Sequence, residues 1–103
     1  MLACSTAAED LRRAESAFTQ ARYEDVEAWT AELAPELDQL PAEQRARYYY
    51  LAGMSAFRIG RRARARHALV LCREEVERGK VSLPDPWSRN LRAALVELAV
   101  APP

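Results

Sequence analysis

The chain is short of the residues that break, cross-link or catalyse. Only three of its 103 residues are Gly and six are Pro, so helices can run with few interruptions. Two Cys cannot build a disulfide framework. A single histidine, His67, excludes a multi-histidine metal site, and Cys72 lies five residues on, a poor helical spacing for shared ligation. β-branched residues never alternate over a strand length, which leaves no strand. No stretch reaches the ~18 uninterrupted apolar residues of a membrane-spanning helix, and no hydrophobic signal core is present. Glycine-rich phosphate loop, Cys-x-x-Cys pair and nucleophile elbow are missing too. The carboxylates follow surface helical positions and offer no distinct acid–base pair. The expectation is a non-enzyme with no cofactor and no metal.

What remains is helix-forming material. Half the residues are hydrophobic, and Ala, Leu, Arg and Glu dominate. A chain of this length reads as one all-α domain, burying roughly two-thirds of its unfolded surface. Its zero net charge is unevenly spread. Residues 1–43 carry ten acids and three bases (−7), residues 44–80 ten bases and three acids (+7), and the remainder is neutral. Such a dipolar chain can dock acidic ligands, self-associate head to tail, or neutralise itself across the fold.

Apolar spacing places five helices near 6–20, 23–40, 42–58, 61–78 and 86–99. Ser5 or Thr6 can cap the first, with Glu9 and Asp10 at its positive end. Its stripe is Ala7, Leu11, Ala14, Phe18 and Ala21; that of the second is Val26, Trp29, Leu33, Leu37 and Leu40. Pro35 should interrupt the second helix, since its ring clashes with the preceding turn and removes an amide donor. Pro41 suits the first turn of the third helix, Gly60 its end, and Gly79 the end of the fourth. Gly53 and Ala56 are small enough for a neighbouring helix to approach. Cys72 falls on the apolar face of the fourth helix, where a free thiol behaves as a small hydrophobe. Asp85 caps the fifth helix ahead of Pro86, and Trp87, Leu91, Ala94, Leu95 and Leu98 form its inner face. Phe18 is expected to pack against Trp29 and Tyr49 or Tyr50.

One phrase occurs twice. Ala17-Phe18-Thr19-Gln20-Ala21 is echoed 39 residues later by Ala56-Phe57-Arg58-Ile59-Gly60, with Val26 and Ala65 opening the next pattern. An internal period of that size signals stacked helical hairpins. The stretch from Tyr49 to Cys72 resembles a tetratricopeptide repeat, through Tyr49, Ala52-Gly53, Ala56-Phe57, Gly60, Ala65, Leu69 and Cys72. The stretch from Ala14 to Leu33 resembles it more loosely. It departs in its spacing, longer than the family's usual ~34 residues, in lacking a turn glycine in the first copy, and in the early Pro35. The resemblance implies two hairpins and a capping helix over 6–99, between a segment at 1–5 and a tail at 100–103. It also implies a non-catalytic adaptor holding a protein or peptide in a groove lined by the first helix of each hairpin. Exposed positions there are Arg12, Glu15, Thr19, Arg45, Tyr48, Met54, Ser55 and Arg58. Tyr48 and Arg58 are the expected anchors, since Tyr and Arg are enriched at binding hot spots.

Two further features bear on partners. Met1-Leu2-Ala3-Cys4-Ser5 resembles the end of a bacterial lipobox, which implies lipid on Cys4 and a membrane tether in the bacterial envelope. The alternative is a cytoplasmic chaperone or regulatory adaptor with an incidental Cys4. The basic run Arg61, Arg62, Arg64 and Arg66 begins where a helix dipole disfavours cations, which suggests an anionic partner: acidic protein, lipid headgroup or nucleic-acid phosphate. Nucleic acid ranks last, because net charge is zero and no recognition motif accompanies the run.

Overall fold

The structure is a computed structural model that describes residues 6–99. Those residues form five helices, α1 (Ala7–Thr19), α2 (Tyr23–Leu33), α3 (Ala42–Arg58), α4 (Arg62–Gly79) and α5 (Asp85–Ala99), with a 3₁₀ segment over Ala34–Gln39 and no strand among them. The body measures 52 × 29 × 22 Å. The expected all-α class is what is found. The segments around Cys4 and the Pro102-Pro103 tail lie outside the described residues.

Local chemistry accounts for the boundaries. The Thr6 hydroxyl accepts from the Glu9 amide at 3.1 Å while the Glu9 carboxylate accepts from the Thr6 amide at 3.0 Å, a reciprocal capping box. Pro35 tightens the end of the second helix into the 3₁₀ segment, because an α-helix cannot pass its ring unbroken. Pro41 stands just before α3 as its cap, one residue earlier than expected. At the end of α4 the left-handed residue is Lys80 (φ 51°), not Gly79, which stays helical. A Cβ at Gly79 would come within 2.9 Å of the Ala42 side chain, so its smallness serves packing at the start of α3.

The sequence repeat is a repeat of geometry. In the first turn Ala21 is left-handed (φ 58°), and the Arg22 amide donates to the Ala17 carbonyl at 2.9 Å. In the second, Gly60 is left-handed (φ 84°), and the Arg61 amide donates to the Ala56 carbonyl at 2.8 Å. These are matching helix-terminating closures at the same offset as the sequence echo. Ala21 therefore does the work of the missing glycine, at a steric cost of ~1–2 kcal/mol.

α3 and α4 form the tightest pair. A Cβ built on Gly53 would lie 2.6 Å from both Cγ and Cδ2 of Leu69, and Leu69 is fully buried. The core runs along this contact through Ala46, Tyr50, Leu51, Ala56, Ala65 and Cys72. In α1 the buried stripe includes Asp10 and Ala17, while Ala21 is exposed. In α2, Thr30 is buried, its hydroxyl donating to the Val26 carbonyl at 2.9 Å, and Trp29 is only half-buried. Trp29 lies instead under the Arg13 guanidinium, 5.3 Å from its ring centre, and Arg13 pairs with Asp10 at 3.0 Å. That cation lies over the half-buried indole in the first hairpin.

Of the expected partners of Phe18, Tyr50 is found, and its ring neighbours are otherwise Tyr23 and Trp87 in place of Trp29. Phe18 meets Tyr50 edge-on at 5.9 Å, Tyr23 at 5.7 Å and Trp87 at 6.3 Å. Trp87 in turn stacks on Tyr50 at 4.4 Å and 7°, and Asn90 donates to the Tyr50 hydroxyl at 3.2 Å. Thus α5 reaches past the second hairpin to the first.

Two stability tests follow from the backbone. Ala21→Gly should raise stability by up to ~1 kcal/mol, and Gly60→Ala should lower it by about as much, since nothing within 4 Å of Gly60 obstructs a Cβ and only the dihedral resists. Urea midpoints moving together in one direction would show the two turns are not equivalent. Gly53→Ala should cost ~1–3 kcal/mol by forcing the branch point of Leu69 aside; an unmoved midpoint would mean α3 and α4 stand farther apart.

Candidate functional site

A hollow of about 390 Å³ opens between α2 and α4 with α3 as its floor. From α2 come Glu27, Thr30 and Ala31, and the 3₁₀ segment adds Leu37. The floor is Tyr48, Tyr49 and Ala52, and the far wall is Arg64, His67, Ala68 and Leu71. Most of this lining is apolar, as binding clefts usually are, with a few polar groups at the rim. The rings of Tyr48 and Tyr49 meet edge-on at 5.1 Å. Burial raises the phenol pKa of both, and the Glu75 carboxylate raises Tyr49 further, so they enter the groove as neutral hydrogen-bonding groups.

Charge gathers at one end. Glu27 accepts from Arg61 at 3.0 Å and from Arg64 at 3.4 Å, so two guanidiniums share one carboxylate. At the other end Arg45 donates to Glu75 at 3.0 Å and also to the Leu40 carbonyl, tying the start of α3 to α4. Glu15 and Arg47 make a further bridge at 3.2 Å between the acidic and basic halves of the chain. The protein thereby neutralises part of its own charge separation across the fold.

The residues expected to form one partner groove are dispersed. Met54 and Ser55 are buried, at 2% and 0% exposure, and leave the exposed set. Helical spacing on α3 puts Met54 on the Tyr50 side, and α5 supplies Leu91, Ala94 and Leu98 to the same core. Ser55 carries a buried Oγ without a hydrogen-bond partner. Arg12 and Glu15 line a smaller hollow of about 190 Å³ between α1 and α3, beside Gln44, whose Oε1 is buried and unpartnered. Thr19 is exposed and donates to the Ser16 carbonyl at 2.8 Å, Arg45 is held by Glu75, and Arg58 projects into solvent. Of the eight, only Tyr48 lines the α2–α4 groove.

The basic run also divides. Arg61 and Arg64 turn to Glu27, Arg62 donates to the Glu97 carbonyl at 3.2 Å, and Arg66 is exposed. They form no single cationic face. Sequence reasoning passed over Glu27, Leu37, His67 and Leu71 as groove residues. A usable signal existed: Tyr48, Tyr49 and Ala52 share one α3 face opposite Tyr50, and the acids of α2 match the bases that open α4.

Cys72 is fully buried and its thiol donates to the Ala46 carbonyl at 3.3 Å. Burial, and secondarily Glu75, push its pKa up to about 12. It is packing, not a nucleophile. Among the described residues no group of three or more His, Cys, Asp or Glu is placed to hold a metal, and no helix is long and apolar enough to cross a membrane.

No family model, curated protein or solved structure matches this chain. The functional reading therefore rests on the groove's own geometry.

Burial of neutral Cys72, Tyr48, Tyr49 and Tyr50 predicts an alkaline limit. Each group's folded pKa lies above its free value, so each contribution is complete below that value and fades as pH rises through the folded one. Urea midpoints should hold up to about pH 9 and fall towards pH 12. In a Cys4→Ser variant, maleimide should label Cys72 only as fast as the protein unfolds. Rapid labelling of the native protein would place the thiol at the surface.

Proposed function

We propose that this protein is a non-catalytic adaptor that holds a segment of another protein in the groove between α2 and α4. The observation that carries the reading is an open, mainly apolar trough whose floor presents two tyrosines and whose mouth carries a guanidinium. Tyr and Arg are the side chains that most often anchor protein interfaces. The tetratricopeptide resemblance gains support from two hairpin turns of matching geometry, 39 residues apart. It is supported for the hairpins more than for the ligand face, because Met54 and Ser55, which the resemblance would give to a partner, are buried.

The same adaptor can be envisaged at a bacterial envelope, tethered by lipid on Cys4, or in the cytoplasm. The groove serves either setting. An anion-binding role for the basic run is the weaker proposal, since Arg61 and Arg64 already share Glu27 and Arg62 is turned to α5.

Cross-linking capture with wild-type protein and groove variants tests the proposal. Leu71→Asp and Tyr48→Ala should each lose the captured partners, while Arg12→Ala and Arg58→Ala, outside the groove, should retain them. Equal capture by the groove variants, with circular dichroism showing intact helices, would refute it.

A further inference from the structure

The groove's polar end selects among partner chemistries. Arg64 reaches Glu27 at 3.4 Å, the longer of that carboxylate's two pairings, and 64% of its side chain is exposed. Two guanidiniums against one carboxylate leave an excess positive charge at the mouth, with exposed His67 one turn along the same wall. A ligand carboxylate placed there would complete the second pairing by a charge-assisted hydrogen bond. Below it, Ala31, Ala52, Leu71 and the faces of the two tyrosine rings offer apolar contact.

The backbone of the ligand is constrained as well. Both walls and the floor are helices, whose main-chain groups are paired within themselves, and the described residues contain no sheet edge. An extended peptide would enter with its amides and carbonyls unpaired, a cost that a helix avoids by pairing its own. α2 and α4 both pack against α3, so the trough between them is bounded by helices on both walls and its floor, and a helix lying along it can lower one face of side chains into it. The wall from Arg64 to Leu71 rises ~10 Å, about two helical turns.

Resting on the adaptor reading above, we infer that the groove takes an amphipathic helical segment of another protein, with apolar side chains on one face and a carboxylate at its edge that pairs with Arg64. Two turns of such a helix fill the trough with two or three aliphatic side chains. The acid sets the register.

The test uses the full chain and a short lactam-bridged helix bearing Leu on one face and Glu on its edge, with Gln and Lys versions of the same peptide. The Glu peptide should bind about tenfold more tightly than the Gln peptide, and the Lys peptide more weakly still. Arg64→Ser should erase that difference, while Arg66→Ser, which lies outside the groove, should preserve it. Backbone amide shifts should cluster at Tyr48, Tyr49, Ala52 and Leu71. Equal binding of the three peptides, indifference to Arg64→Ser, or no binding to wild type would each overturn the acidic-helix assignment. Self-association shifting the same amides would overturn it too, by giving the groove to a second copy. The capture assay with Leu71→Asp reports separately on the adaptor reading, which survives if partners are lost there while the peptides fail.

Discussion

Tyr50 is the largest fully buried side chain among the described residues, and three other helices close on its ring or on the rings around it. Trp87 of α5 lies flat against it, and Phe18 of α1 meets it edge-on while touching Tyr23 of α2. Asn90 satisfies the hydroxyl, which otherwise would be a buried polar group without a partner. Each aromatic contact contributes ~0.5–1.5 kcal/mol beyond the area it buries. The consequence is architectural. Two hairpins that share a continuous core are further joined by one aromatic cluster, and the fifth helix becomes part of both.

The same cluster decides which surface is left for other molecules. With Trp87 over Tyr50, and the Arg47 guanidinium 5.3 Å above the indole, the α1-facing side of α3 is largely occupied from within. The opposite side of α3 carries Tyr48, Tyr49 and Ala52, and no further helix among the described residues covers it. A helix with aromatic residues on consecutive positions spreads them around its axis. Here one ring is spent on the core and two remain half-buried. The groove is the unfilled counterpart of the cluster.

Electrostatics follows packing. The acidic and basic segments read as a strong dipole along the sequence, but folding lays α2 beside the start of α4 and α1 beside α3. Glu27 and Glu15 then find arginines more than thirty residues away. These pairs are partly exposed, so each contributes little to stability. Their effect is on surface character: they consume most of what looked like a basic patch and leave a local excess at Arg64.

Elements with strong local causes were legible in the sequence. The capping box at Thr6, the break at Pro35, the turn at Gly60, the small Gly53 and Ala56 facing a neighbour, and the buried Cys72 each follow from a residue's own sterics or hydrogen bonding. The 39-residue echo likewise pointed to two hairpin turns, and the structure adds that Ala21 takes the left-handed conformation where the second copy has glycine. What the sequence left open was phase and partnership. Helical periodicity tells which residues share a face, not which element comes to cover that face. Met54 and Ser55 therefore looked available although packing against neighbouring elements buries both, and Trp29 looked like core although it is only half-buried, beneath Arg13. Sequence fixed the helices and their turns because those depend on neighbours in the chain. Only the tertiary structure chose the exposed face, because that depends on where the fifth helix packs.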